Sequence, residues 1–197
     1  GEGVDWVCKV SRVDKKSLWV EVTAPQEVPT EAPIHTHLGL CLSKGDRFDW
    51  GIQKATELGV SEITPLFSER VDVKIPADRL SKRVAHWQQV VISACEQCGR
   101  ARVPTVNPPI QLSTWIGMTS GTLKWVMHHQ ANGGFPSSSP ESIDLLIGPE
   151  GGLSDEEVGA ANVAGFQSLQ LGPRVLRTET APVVALSVIA ARWGDFE

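Results

Sequence analysis

The chain has few cysteines, no long apolar run and no excess of basic charge, and each shortage narrows what it can be. Four cysteines in 197 residues, Cys8, Cys41, Cys95 and Cys98, are too few to staple a fold of this size, so a disulfide scaffold is a poor reading. No stretch approaches the roughly 18 apolar residues of a membrane span. No charged-then-apolar leader opens the chain, so no signal peptide is visible. A cytoplasmic protein with reduced thiols and no membrane partner is expected. The formal net charge of −5 argues mildly against nucleic acid as a partner, and any RNA-binding reading has to meet that objection.

What is present suffices for a core. Apolar residues make up 41% of the chain and charged residues 21%, which suits one domain, or one domain with a small appendage. Disorder is a poor reading for most of it. The first thirty residues differ from the rest. Val7–Val10 and Leu18–Val22 are β-rich runs, followed by a segment with Pro25, Pro29 and Pro33. Two short strands cannot bury a core alone, so they read as the end of a domain whose beginning is missing.

From Ile34 onward, strand and helix patterns alternate. Leu38–Leu42, Ile63–Phe67, Leu123–Met127, Ile143–Ile147 and Phe166–Leu171 read as strands. Leu123–Met127 and Ile143–Ile147 carry one charge each, Lys124 and Asp144, as befits a sheet covered on both faces. Phe48, Ile52, Ala55 and Leu58 recur at helical spacing before Gly59, and Leu80, Val84, Trp87, Val91 and Ala94 do so before Gly99. Ser154 with Glu157 predicts a capping box, and Thr180–Trp193 a last helix. Asn132–Pro140 reads as a flexible surface loop. The alternation implies an α/β fold with a mainly parallel sheet.

Two loops carry the clearest chemical signal. Ile147-Gly148-Pro149-Glu150 and Leu171-Gly172-Pro173-Arg174 both run from strand into Gly-Pro, and Gly151 and Gly152 add bare backbone. In a parallel sheet both fall at carboxyl ends of strands, where ligands bind. A single Gly-Pro is an ordinary turn marker; a matched pair points to a ligand. There is no P-loop and no G-x-G-x-x-G, and Glu150 would repel phosphate. A ligand with adenosine and no phosphate fits better, and S-adenosyl-L-methionine (SAM) is such a molecule. Arg174 and Arg177 stand beside a helix start and can hold a carboxylate or a phosphate, or merely cap the helix. Cys95-x-x-Cys98 lacks a second ligand pair and reads as ordinary thiols, not a metal site. Glu96, Gln97 and Arg100 project from the end of a long amphipathic helix. At least one of His128 and His129 should reach the edge that carries the Gly-Pro loops, and no metal is expected there. His35 and His37 read as structural.

In these motifs the chain resembles the RsmE family of 16S rRNA (uracil-N3)-methyltransferases. Lys44-Gly45-Asp46-Arg47, Gln53-Lys54-Ala55-Thr56-Glu57-Leu58-Gly59-Val60, Glu96-Gln97-Cys98-Gly99-Arg100, Ile147 to Gly152, and Leu171 to Ala181 follow the family's order, over about residues 34 to 196. Cys98 stands where the family usually has a small hydroxyl residue, and Arg70-Val71-Asp72 departs from its Arg-Ser pattern. The resemblance implies a SPOUT-type fold with a C-terminal trefoil knot that forms the SAM pocket. It also implies a homodimer and a preceding PUA-like β-barrel, of which residues 1–33 would be a remnant and linker and 34–197 the methyltransferase domain. The missing barrel would then hold much of the basic surface.

The expected reaction is SAM-dependent methylation of N3 of a uridine in 16S rRNA of the small ribosomal subunit. The expected catalytic residues are Arg177 and Arg100, which steady the uracil anion or its phosphate, with Glu179 or Glu96 as proton acceptor. The expected cofactor residues are His128, Ile147, Gly148, Pro149, Gly151, Gly152, Leu171, Gly172, Arg174, Leu176, Thr180 and Ala181. Arg79, Lys82, Arg83, Arg100 and Arg102 are expected to touch RNA, although a solvated helix face competes for the first three. Three alternatives stay open: a SPOUT methyltransferase for another RNA site, a non-catalytic RNA-binding or ribosome-assembly module, and a nucleotide- or NAD-dependent α/β enzyme.

Overall fold

The computed structural model of the chain describes residues 3–128 and 134–196. His129 and the first residues of the Asn132–Pro140 loop therefore lie outside the described residues. Two strands, β1 (Val4–Val13) and β2 (Leu18–Glu27), pair antiparallel as a separate ribbon. They extend beyond the β-rich runs and carry β2 through Pro25, which an edge strand tolerates because no ladder donor is needed there.

The main sheet contains β3 (His35–Cys41), β4 (Glu62–Phe67), β5 (Thr105–Val106), β6 (Ile110–Gln111), β7 (Leu123–Met127), β8 (Ser142–Ile147) and β9 (Gln167–Leu169). Its order is β5-β4-β3-β8-β7-β9, with β6 also on β4, and the pairing is parallel throughout. Helices cover both faces, as an all-parallel sheet requires. One face buries Leu38, Leu40, Ile143, Leu145, Ile147 and Trp125 against α1 (Arg47–Glu57), α2 (Ala77–Cys98) and α5 (Thr180–Trp193). The other buries Cys41, Val126 and Leu146 with α3 (Leu112–Met118) and α4 (Asp155–Val163). Neighbours in one strand thus face opposite cores, which is the period-two rule applied on both faces.

Local chemistry explains the boundaries. Gly99 adopts φ 80° and ends α2 in the left-handed region, where glycine carries no Cβ penalty. The Ser154–Glu157 capping box is present in both directions and starts α4, as the sequence predicts. Helix α3 and strands β5 and β6 have no counterpart in the sequence pattern, being too short for periodicity to register. Strand β9 is shorter than Phe166–Leu171, because Leu171 has already left the sheet for a loop.

The two charged strand residues are satisfied near the amino ends of their strands. Lys124 donates to the Thr119 carbonyl at 2.8 Å, and the Asp144 Oδ2 accepts from the Gly121 N–H at 2.6 Å. His37, expected to be structural, sits in the same zone. Its Nε2 lies 3.1 Å from the donating Trp115 Nε1 and 2.8 Å from Thr64 Oγ1.

Trp115 lies flat on Gly39, and a Cβ there would come within 2.6 Å of the indole. Overpacking of this kind costs about 1–3 kcal/mol. Gly39→Ala is expected to lower the unfolding free energy by that amount, read as a lower urea midpoint at unchanged slope, without changing helix content. Cys41 is fully buried, and burial pushes its thiol from 9.0 up to about 12. The unfolded thiol titrates first, so this group's contribution to stability is complete below pH 9.0 and is lost as pH rises toward about 12. Iodoacetamide at pH 8 should therefore modify exposed Cys8 and spare Cys41 until the chain is unfolded. Labelling of Cys41 in the folded protein would contradict its burial.

Candidate active site

Parallel register decides where the functional loops lie. Strands β8, β7 and β9 are adjacent, and their last residues Ile147, Met127 and Leu169 all point their outgoing loops to one edge. A cavity of about 620 Å³ opens there, within the size range of ligand sites. Ile147 to Leu153 form one wall, Leu169 to Gly172 and Arg174 to Glu179 form another, and Met127 and His128 stand between them. The backbone N–H of His128 donates to the Leu169 carbonyl at 3.0 Å, which joins the β7 exit to β9.

The first wall is a tight turn. The Gly152 N–H closes onto the Pro149 carbonyl at 2.9 Å, with Gly152 at φ 71°. At Gly148 a Cβ would approach Leu153 Cγ at 3.0 Å, and at Gly151 it would meet Arg70 Cβ at 3.1 Å. A side chain at either position would push its neighbour by a few tenths of an ångström, so glycine lets the loop pack closely. Neighbouring loops hold the turn from outside. Arg47 pairs with Glu150 at 3.0 Å, and the same carboxylate accepts from the Lys44 N–H at 3.2 Å. Arg70 donates to the Gly151 carbonyl at 3.1 Å. Glu157, the capping-box acid, reaches across to the Glu69 N–H at 2.8 Å.

The second wall leads into α5. The N–H groups of Thr180 and Ala181 both donate to the Arg177 carbonyl at 2.9 Å, which fixes the turn from Leu176 into the helix. Thr178 is buried, and Glu179 lines the cavity with its Oε2 buried and without a hydrogen-bond partner among the described residues. A buried, unpaired carboxylate oxygen is costly unless something occupies the space before it.

The cavity collects most of the residues expected from sequence: His128, Ile147, Gly148, Pro149, Gly151, Gly152, Leu171, Gly172, Arg174, Leu176 and Ala181, with Arg177 and Glu179. Thr180 is not on its wall. Sequence reading missed Arg47, Arg70, Met127, Gln170 and Val175, which also line it. Only the position of Arg47 beside the first Gly-rich turn of the sheet, and of Arg70 just past β4, could have pointed to them.

Arg100 and Glu96 lie apart from the cavity within the chain. Arg100 is nearly buried, and its guanidinium donates to Glu31 Oε2 at 2.7 and 3.2 Å and to the Thr56 and Val60 carbonyls at 2.8 Å. Glu31 and Val60 precede β3 and β4, so Arg100 sits at the amino edge of the parallel sheet, opposite the cavity. Glu96 is exposed near the same end of α2. Neither group reaches Arg177 and Glu179. Arg100 locks the end of α2 to the sheet, and Arg102 follows it with its N–H on Glu31 Oε1 at 2.9 Å. Arg79 and Lys82 are exposed in the first turns of α2, which starts from the cavity edge. Arg83 lies over Trp87 and 3.9 Å from Asp49. Among the described residues no cluster of histidine, cysteine and acid suits a metal.

The lining suits SAM. Leucine, isoleucine and alanine provide apolar surface, the glycines leave backbone exposed, and the orphan Glu179 oxygen suits a cationic group. Phosphate in this cavity, by contrast, would meet the Glu179 oxygen, which is buried without a hydrogen-bond partner among the described residues, whereas Glu150 is already paired with Arg47. These features define a cofactor pocket of the kind that methyltransferases of this topology build, and comparison with known proteins agrees. The family described as RNA methyltransferase domain matches residues 30–190. The ribosomal RNA small subunit methyltransferase E of Buchnera aphidicola (subsp. Schizaphis graminum) is 34% identical over 95% of this chain and 77% of its own. A crystal structure of the Neisseria gonorrhoeae ribosomal RNA small subunit methyltransferase E, bound to S-adenosyl methionine, is 37% identical with a TM-score of 0.93, over 100% of this chain and 82% of that one. A putative methyltransferase from Legionella pneumophila, in complex with the bound cofactor SAM, is 41% identical with a TM-score of 0.92 over the same shares. The chain belongs to the ribosomal RNA small subunit methyltransferase E family.

Removing Arg100 alone would strand two carbonyls and leave Glu31 with only the Arg102 N–H. Loss of one member of such a buried pair costs about 3–5 kcal/mol. Arg100→Met should therefore lower the denaturant midpoint strongly while its folded fraction binds SAM with unchanged affinity in a calorimetric titration. Normal stability together with lost methyl transfer would return Arg100 to the catalytic set.

Proposed function

We propose that this chain transfers a methyl group from SAM to N3 of a uridine in the 16S RNA of the small ribosomal subunit. The single observation that carries the reading is the cavity in which both Gly-Pro loops and the unpaired Glu179 oxygen meet. The small-subunit methyltransferases E to which the chain is similar, and the two neighbours solved with the cofactor, support it.

His128, the Ile147–Gly152 turn, Leu171, Gly172, Arg174, Leu176 and Ala181 would hold the cofactor, with backbone groups reading its polar edges. When bound, SAM supplies a methyl group already activated by its sulfonium. Uracil N3 is a poor nucleophile until its proton leaves, so the chain's own task is deprotonation and orientation. The target base is unstacked to bring N3 to the cavity. Glu179 Oε2 accepts the N3 proton, and the Arg177 guanidinium steadies the charge that then spreads over the uracil oxygens.

Several finer readings go with this one. The C-terminal segment forms a trefoil knot; the strand order, with β8 and β9 on opposite sides of β7, supports it. Residues 1–33 form the tail of a PUA-like RNA-binding barrel and residues 34–197 the methyltransferase domain. Exposure of Trp6, Val10, Leu18 and Trp19 on the ribbon supports a covering partner there. The enzyme works as a cytoplasmic homodimer, and Arg79, Lys82, Arg83 and Arg102 add contacts to RNA.

The test is methyl transfer to purified small subunits, with the modified base identified. Arg177→Ala and Glu179→Gln are each expected to lower kcat by about 10²- to 10⁴-fold. A methyl group on another atom or another RNA would overturn the substrate, and SAM failing to bind the folded wild type would overturn the enzyme class.

A further inference from the structure

A second cavity of about 490 Å³ adjoins the first and shares Arg47, Arg70 and Glu150 with it. Lys44, Asp72 and Val73 line the annex alone. Lys44 follows β3, Arg70 follows β4 and Glu150 follows β8, so the annex lies on the same sheet edge and extends the mouth of the cofactor pocket toward β4. Three cations against two carboxylates give it a positive balance in a chain whose net charge is −5.

We propose that this annex seats a backbone phosphate of the RNA substrate, with Lys44 and Arg47 as its principal ligands. The inference rests on the RNA-methyltransferase reading and adds to it a place for the substrate's backbone. A nucleotide whose base enters the main cavity leaves its phosphates at the rim, and the annex is a part of the rim where cations outnumber carboxylates.

The ion pairs already present there are of the kind that exchange easily. Lys44 and Asp72 lie 2.5 Å apart with side chains 65% and 73% exposed, and Arg47 and Glu150 are 47% and 37% exposed. Exposed pairs contribute little and are screened by solvent. The Lys44 ammonium, hydrogen-bonded to Asp72, holds that carboxyl below its ordinary value. Asp72 therefore stays ionised and acts as a stand-in anion that a phosphodiester can displace. Arg70 is already committed to the Gly151 carbonyl, so it frames the annex.

The competing anion is the carboxylate of the cofactor. Lys44 separates the two, because it lines the annex and not the main cavity. Its side chain bonds only to Asp72 among the described residues, so changing it leaves the cofactor turn intact.

The experiment measures binding of Lys44→Glu, Lys44→Arg and Asp72→Asn to purified small ribosomal subunits by co-sedimentation across a salt series, with SAM affinity measured separately by calorimetry. Lys44→Glu should weaken subunit binding about fivefold and flatten the plot of log affinity against log salt by about one. Lys44→Arg should restore both. Asp72→Asn, which releases Lys44, should tighten binding by about twofold. A merely structural role would not produce opposite signs at two partners of one ion pair. The proposal is overturned if Lys44→Glu leaves subunit binding and its salt slope unchanged, or if it weakens SAM instead. Co-sedimentation needs no turnover, so a wild type that binds subunits without methylating them would count against the methyl-transfer reading alone.

Discussion

Parallel pairing of β8, β7 and β9 is the constraint from which the site follows. A parallel ladder gives neighbouring strands one direction, and one direction gives their exits one edge. The chain makes β7, then β8, then returns to lay β9 on the far side of β7. That return brings the turn after Leu169 opposite the turn after Ile147, with His128 between them. Two Gly-Pro turns separated by more than twenty residues become facing walls. The glycines then matter for distance: the backbone at Gly148 and Gly151 packs where a Cβ would crowd Leu153 and Arg70.

The same edge resolves the objection that an acidic chain makes a poor RNA enzyme. Net charge sums the whole surface, whereas an anion meets a local field. Arg47, Arg70, Arg174 and Arg177 line the pocket against Glu150 and Glu179, and Lys44 stands just beyond them. Much of the acidic excess lies elsewhere, including the three acids in the first turn of α4, where the helix N-terminus favours them. Arginine at the opposite edge serves stability. Arg100 is matched to Glu31 and two carbonyls, which engages four of its five N–H donors.

Much of this was legible in the sequence, for identifiable reasons. Strand β7 and helix α5 have the predicted limits, because a five-residue run with four apolar members and a fourteen-residue helix each carry enough pattern to define themselves. The Ser154 capping box was readable because it depends on two side chains at fixed spacing. Helix α3 was not, since seven residues hold barely two turns, and neither was Trp115, whose role depends on a glycine in a distant strand. The site shows the same division. Residues within the two glycine-rich turns were found from local chemistry. Arg47 and Arg70 belong to turns after other strands, and only the sheet brings them to the pocket. Arg100 stands two residues past Cys98, the end of a helix, beside Glu96 and Gln97, a local pattern that does not reveal which edge of the sheet the helix reaches.

The bonds that hold the cofactor turn have a kinetic consequence. Glu150 to Arg47, the Gly151 carbonyl to Arg70, and Glu157 to the Glu69 backbone tie one turn to the exits of two other strands. Each bond lies at the surface, where water can replace it one at a time. Several weak ties acting together make a stiff wall, yet no single step in loosening it is slow. A pocket bounded in this way can grip its contents during chemistry and still empty quickly, so spent cofactor need not wait for a large rearrangement before the next turnover begins.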